Sequence, residues 1–435
     1  MSSLDGTIVA TALDSIQRGM HSSINWTSWV ITAYLIGMLL ALPLAGKLAD
    51  RFGRRRFFLG CVMLFSVASL CCGLAGNIYV LIGLRAIQAA GGAGFTPSAT
   101  GLITDNFGSG RDMAVGFFGS IFPVGSLIGP IFGGLFVSYW SWRGIFLVNV
   151  PVGIVLIIMC LIYVPRDGDR AARESGRMDL RGMVLLGVGA LALMFGISYL
   201  GEVGAGFSSP LFVGPVLVGS LGLILFGLHI RGTPHPFIAP RFIAGRGFGA
   251  VNVTNVWGGA VAGLLALVPV YAIRRYGLSV LDSGTLLTAE GAAAIAVASL
   301  ATLGLRKTGY RPPLYVGSVV IAIGLAGLGI RPVGMSPHAW LALAAGLVGA
   351  GTGILSPASR NAGLQLAPDQ SASLAGIRTM GRLIGQIAAI SITSTIIAQS
   401  ASPGQIQAVV FLVFAFVPIG LLPVIARVPE HRGPW

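Results

Sequence analysis

Charge is what this chain has least of. Only 10% of its 435 residues are Asp, Glu, Lys or Arg, while 54% are hydrophobic and the mean hydropathy is +0.85. A soluble domain carries about 25% charged residues, so the composition excludes a soluble fold and describes a chain that crosses a membrane many times. Cysteine is also scarce. Cys61, Cys71, Cys72 and Cys160 all fall inside apolar runs, which leaves neither a disulfide framework nor a metal-ligand spacing. The five histidines, His21, His229, His235, His338 and His431, are scattered near the ends of such runs. No metal, no cofactor and no enzymatic chemistry are therefore expected, because no nucleophile–base set or phosphate loop accompanies them. Acidic residues number 14 against 28 Lys and Arg, a formal charge of +14. In a soluble protein that excess would suggest nucleic acid. Here the arginines sit between apolar runs, and the inner surface of a lipid bilayer accounts for them better.

What is abundant is apolar sequence of helical length. Runs occur at 4–16, 29–45, 57–75, 78–104, 114–140, 145–164, 183–200, 211–230, 248–271, 283–305, 313–330, 339–357, 384–398 and 407–426. All but the first are long enough to cross a bilayer, and helices are expected because backbone groups in lipid must be satisfied within the segment. The first, thirteen residues long, rises only about 20 Å at 1.5 Å per residue. An apolar extension before Met1 is the expectation that follows. Basic residues set the orientation. With residues 46–56 inside, alternate connections and the C-terminus hold 22 of the 28 Lys and Arg, and the opposite side holds only Arg18, Arg143, Arg274, Arg275 and Arg331. The positive-inside rule then puts the C-terminus in the cytoplasm.

The connection Gly46-Lys-Leu-Ala-Asp-Arg-Phe-Gly-Arg-Arg-Arg56 is more ordered than a plain basic loop. Gly53 supplies a turn that needs positive φ. Asp50 meets the negative end of a helix dipole and requires a compensating partner. The order G-x-L-A-D-R-x-G-R-R, through Gly46, Asp50, Arg51, Gly53 and Arg54, closely resembles the loop between the second and third spans of major facilitator superfamily transporters. A degraded second copy, Arg306-Lys-Thr-Gly-Tyr-Arg311, places Arg306 opposite Asp50 and so lacks the acid.

Arg85 lies inside a span, where an uncompensated guanidinium costs at least about 3 kcal/mol, so it should face an aqueous cavity or an acid. Arg85-x-x-Gln88-x-x-Gly91-Gly92-Ala93 resembles the fourth-span motif that the family uses near its proton path, and Ala89 stands where the family usually has glycine. In the fifth span Gly125, Gly129 and Gly133 recur every four residues, a stripe that lets another helix approach closely. Pro130 removes a backbone hydrogen bond there. With Gly116 and Gly134, the set resembles the antiporter motif, which in the superfamily points to exporters. Leu4-Asp-Gly-Thr-Ile-Val9 resembles the first span, and Trp142 to Gly153 the approach to the sixth, with Asn149 and Pro151 expected to shape that helix. Gly376–Gly385 resembles the approach to span thirteen, with Arg378 and Arg382 expected to anchor at the inner surface.

The resemblance covers nearly the whole chain and implies the fourteen-span drug:proton antiporter branch. The expected fold is all-α, with a six-span bundle at 1–164, a linker region with two extra spans at 165–247 and a second six-span bundle at 248–435. The implied function is proton-coupled export of small amphipathic or cationic compounds across the cytoplasmic membrane. A dedicated exporter of one metabolite or antibiotic is the alternative, and a non-transporting membrane sensor a weaker one. Apart from Asp14, Asp5 and Glu290 are the only carboxylates inside spans, and with Arg85 they are the candidates for proton coupling. Glu290 is expected among neighbours without charge, facing cationic cargo or a second proton. Partners are then a small-molecule substrate, protons and lipid, with a periplasmic adaptor protein as a further candidate.

Overall fold

The computed structural model describes residues 1–106, 111–165, 179–202, 205–234, 236, 238, 240–245, 247–332, 334–366 and 371–430. Arg166, Arg170, Arg173 and Arg177, together with His235 and His431, lie outside the described residues. So do the side-chain surroundings of Gly46, Asp50 and Gly116, whose backbones are helical. Among the described residues every regular element is a helix. The first six are α1 (Ser2–Gly19), α2 (Ile24–Phe52), α3 (Arg54–Leu74), α4 (Ile78–Ala93), α5 (Phe95–Asn106) and α6 (Arg111–Tyr139). They are followed by α7 (Gly144–Leu147), α8 (Asn149–Tyr163), α9 (Leu180–Tyr199), α10 (Pro210–Gly232), α11 (Pro240–Ala244) and α12 (Phe248–Ala266). The last six are α13 (Val268–Tyr276), α14 (Val280–Thr308), α15 (Arg311–Gly329), α16 (Pro337–Gln365), α17 (Ser371–Ala398) and α18 (Pro403–Ile425).

Twelve stretches among the described residues are long and apolar enough to cross a membrane. With α1 and α6 they account for all fourteen expected segments. Short polar residues start many of them: Ser23, Asn77, Ser279 and Ser336 each accept a bond from the backbone N–H three residues on, satisfying a donor that the first turn leaves open. Three runs that read as continuous in sequence are broken. Gly94 divides 78–104 into α4 and α5, Val148 divides 145–164 into α7 and α8, and Leu267 divides 248–271 into α12 and α13. Pro269 sits in the first turn of α13, where its missing N–H is no loss.

Two corrections to the sequence reading follow at the chain's first connections. Helix α1 has 18 residues rather than thirteen, about 27 Å at 1.5 Å per residue, because the helix runs on through the Asp14–Arg18 ion pair at 2.6 Å. The loop expected over 46–56 is helix almost throughout. Only Gly53, at φ 89° and ψ 136°, separates α2 from α3, a conformation open to glycine and strained for other residues.

The chain forms two compact units, Met1–Leu191 and Ala192–Trp435. In the first, α1 packs on α6, α2 on α4, and α3 on both α4 and α8. In the second, α12 packs on α17, α14 on α16, and α15 on both α16 and α18. Numbering the spans of each unit from one to six, both use the same pairs: one with five, two with four, three with four and six. The internal repeat that is degraded in sequence is thus intact in helix pairing. Glycines permit these close approaches. A Cβ at Gly133 would lie 2.8 Å from the Ile8 carbonyl oxygen, and one at Gly129 would lie 3.1 Å from that of Leu4, so α6 lies directly against α1. A Cβ at Gly263 would lie 2.6 Å from the Gln386 carbonyl oxygen, so α12 lies equally close to α17.

Candidate functional site

In the first unit, spans one, two, three, four and six converge on one buried polar cluster. Asp5 on α1 is 0% exposed and Arg85 on α4 is 1% exposed. Arg85 Nη1 donates to Asp5 Oδ2 at 2.6 Å and to Gln88 Oε1 at 2.6 Å, while its Nε donates to the Val30 carbonyl at 3.1 Å. The other carboxylate oxygen, Asp5 Oδ1, accepts from Gln88 Nε2 at 3.1 Å and Asn149 Nδ2 at 3.2 Å. Ser69 closes the network, accepting from Gln88 and Asn149 at 3.0 Å each and donating to the Phe146 carbonyl at 2.9 Å. Above the guanidinium lies the Tyr34 ring, its centroid 4.2 Å from Arg85 Cζ, a favourable placement for a cation.

The acid that Arg85 required is therefore Asp5, eighty residues away in sequence. A buried ion pair tolerates low dielectric only when its remaining lone pairs and protons are also bonded, and Gln88, Asn149 and Ser69 do that here. The geometry revises the reading of Asn149 as a helix-shaping residue, because its amide bonds Asp5 and Ser69 directly. Ser69 was missed and Asn149 given another role for one reason: a lone amide or hydroxyl in an apolar run carries no periodic signal of its partners.

Gly53 leaves Arg54 at the start of α3, where its Nη1 donates to the Gly101 carbonyl at 2.7 Å and ties α3 to α5. Arg55 Nη2 donates to the Leu161 carbonyl in the last turn of α8 at 3.0 Å, a cation at the negative end of a helix. The second unit repeats this. Gly309, at φ 76°, precedes Arg311, whose Nε donates to the Val428 carbonyl just past α18 at 2.8 Å. The acid missing from this copy comes from the chain end. Glu430 Oε1 accepts from the Tyr310 N–H at 2.6 Å, and Glu430 Oε2 lies 3.8 Å from Arg311 Nε.

Glu290 lies on α14 ten residues from its start, about 15 Å along the axis at 1.5 Å per residue. The expectation of uncharged neighbours fails. Glu290 shares a cavity of about 70 Å³ with Arg378 and Arg382, and Arg382 is its charged neighbour. The two arginines expected to anchor at the inner surface, Arg378 half-buried and Arg382 exposed, thus also line this cavity. One helical turn apart on α17, they project the same way, and Gly259 on α12, by lacking a Cβ, makes room for the Arg382 backbone. Sequence reasoning saw the shared face of the two arginines but not what lay opposite.

Fourteen helical segments, two units of like pairing and a sealed charge pair within one of them define a membrane transporter built on an internal repeat. The sequence model of the Major Facilitator Superfamily matches residues 1–390, and the chain belongs to that superfamily. It is 31% identical over 395 residues to the multidrug resistance protein B homolog of Mycobacterium tuberculosis, spanning 88% of this chain and 72% of that one. It is 30% identical over 360 residues to the multidrug transporter protein MdtP of Bacillus subtilis, spanning 82% and 65%. Among solved structures, an inward-facing, unoccupied bacterial homolog of the human lysosomal transporter Spinster superposes with a TM-score of 0.68 at 17% identity, covering 98% of this chain and 94% of that one. The inward-open xylose transporter XylE of E. coli superposes with 0.64 at 15% identity, covering 99% and 94%. These structures share the fold.

Proposed function

We propose that the protein exports small amphipathic or cationic compounds across the cytoplasmic membrane in exchange for protons. Relatives named for multidrug resistance and transport support the cargo class. The observation that carries the coupling is the Asp5–Arg85 pair. A proton can drive transport only through a titratable group whose two protonation states favour different conformations. Protonating Asp5 would cancel the charge that compensates Arg85 and leave a buried guanidinium with only neutral acceptors, Gln88 Oε1 and the Val30 carbonyl. Five spans meet at this cluster, so its rearrangement would be felt across the whole first unit. Glu290 is a second candidate for proton traffic.

Gly46, Asp50, Arg51, Gly53 and Arg54 serve conformational switching in this reading. The single-residue hinge at Gly53 and the Arg54 and Arg55 bonds to α5 and α8 support it, since such bonds can hold one arrangement and release another. Gly116, Gly125, Gly129, Pro130, Gly133 and Gly134 form the antiporter motif on α6, where Gly129 and Gly133 seat α1, the helix that carries Asp5. The basic asymmetry of the connections supports a cytoplasmic C-terminus. The reading groups 1–164 and 248–435 as the six-span bundles and 165–247 as the linker, and it admits a periplasmic adaptor.

The test is substrate-dependent proton flux in reconstituted vesicles across a compound panel. Wild-type protein should release protons inward as compounds leave, and Asp5→Asn should remain folded while that coupling disappears. Unchanged proton-driven efflux in Asp5→Asn would remove Asp5 from the mechanism.

A further inference from the structure

The second unit carries more positive charge in its cavity than a site for cationic cargo would. Arg378 and Arg382 stand two and six residues into the apolar stretch Gly376–Ala398, the latter about 9 Å along the span. Arg360, on α16, lines a second cavity of about 80 Å³. The two cavities lie side by side, with Asn255, Ser359 and Arg378 lining both. Their linings together hold three arginines and one carboxylate, Glu290, which shares its cavity with Arg378 and Arg382. Among the described residues the ion pairs are Asp14–Arg18, Asp5–Arg85 and Arg311–Glu430, and none of the three arginines here takes part in one.

Placing arginine within an apolar span is costly, and such residues ordinarily pair with an acid or with backbone carbonyls. The donors in this pocket are held open instead. Arg378 Nη2 donates to Ser356 Oγ at 3.0 Å, and its Nε, buried, has no partner among the described residues. Ser359 Oγ donates to Asn255 Oδ1 at 2.9 Å and lies 3.1 Å from Thr254 Oγ1. That bond fixes the amide of Asn255, itself 4% exposed, with its carbonyl side engaged. The Asn255 N–H₂ group makes no hydrogen bond among the described residues. Planar guanidinium groups one turn apart, backed by an amide donor, match the oxygens of a carboxylate, sulfonate or phosphate group.

We propose that this pocket binds the anionic group of amphipathic cargo, with Arg378 and Arg382 as its principal donors, Asn255 as a third and Glu290 as a counter-charge that weakens binding. The proposal rests on the export reading and widens its cargo to molecules bearing an acidic group.

The probes are naphthalenesulfonate and naphthyltrimethylammonium, which share an aromatic body and carry fixed charges of opposite sign. Their equilibrium binding to the full chain is measured in phosphatidylcholine nanodiscs, without any gradient, so a failure of proton coupling leaves the readout untouched. The sulfonate should bind more tightly than the ammonium. Arg378→Gln and Arg382→Gln should each weaken it roughly tenfold or more, the usual scale for a lost charged hydrogen bond, while Glu290→Gln should strengthen it. Arg382→Lys keeps the charge should the Gln variant fail to fold, and it should retain most of the preference for sulfonate over ammonium. Tighter binding of the ammonium, or sulfonate binding unchanged in both arginine variants, would overturn the proposal. So would displacement of the sulfonate by phosphatidylglycerol in the nanodisc, lost in Arg378→Gln, because the occupant would then be a lipid headgroup.

Discussion

Replacing Asp5 by asparagine strands a guanidinium that is 1% exposed. With the closest nitrogen and oxygen 2.6 Å apart, the centres of charge lie about 4 Å apart, which at an effective dielectric constant of 20 is worth about 4 kcal/mol. Removing one partner of a buried pair costs about 3–5 kcal/mol. Arg85 keeps Gln88 Oε1 and the Val30 carbonyl as acceptors, which points to the lower end, about 3 kcal/mol. Arg85→Gln strands Asp5 instead, with Gln88 and Asn149 still donating, for a similar loss. Independent effects would sum to about 6 kcal/mol in the double variant. Since each single change already destroys the pair, the double variant should lose far less, with a coupling energy of about 2–3 kcal/mol. Unfolding from mixed micelles by titration with sodium dodecyl sulfate reads all four corners of the cycle. Strict additivity would mean that the two side chains do not stabilise each other, and the coupling mechanism would lose its basis.

Three further outcomes are expected. Gly133→Ala places a methyl group against the Ile8 carbonyl and Thr11 Oγ1, and it should cost about 1–3 kcal/mol by overpacking; wild-type stability in the same titration would show that α1 is not seated there. Asp50→Asn should slow turnover in vesicles while substrate affinity stays close to wild type, and a large loss of affinity at normal turnover would move Asp50 from switching to binding. Tyr310, at the junction before α15, is buried, and burial pushes its phenol up to about 12. The unfolded phenol titrates near 10, so the neutral form favours folding; that stabilisation is complete below about pH 10 and lost as pH rises toward 12. Tyr310→Phe should flatten this alkaline fall in thermal stability, and an unchanged pH profile would place the sensitivity elsewhere.

Hydrophobicity and charge asymmetry are summed along the chain, and what depends on such sums was readable without coordinates. The fourteen segments, the all-helical class and the glycine hinge at Gly53 belong to this group, because each follows from local composition or from one residue's allowed backbone angles. Arg85 announced that it needed an acid for a similarly local reason: a guanidinium in a span is costly wherever it points. Gly129 and Gly133 likewise signalled a close helix contact by their four-residue spacing. Helix ends were less legible, since α2 runs through polar residues to Phe52 and α1 on to Gly19, and hydrophobicity does not record where hydrogen bonding stops.

Which side chains meet was decided only by the packing of helices far apart in sequence. Asp5, Ser69, Arg85 and Asn149 come from four helices of the first unit, and no spacing along the chain encodes their meeting. The same holds for Glu290 with Arg378 and Arg382, which α14 and α17 bring to the lining of one cavity. The second hinge shows the principle most plainly. Its sequence copy lacks the acid of the first, yet Glu430 meets Tyr310 and Arg311 from about 120 residues away. A charge balance can be met by any residue the fold brings near, so sequence by itself states the requirement and tertiary structure supplies the partner.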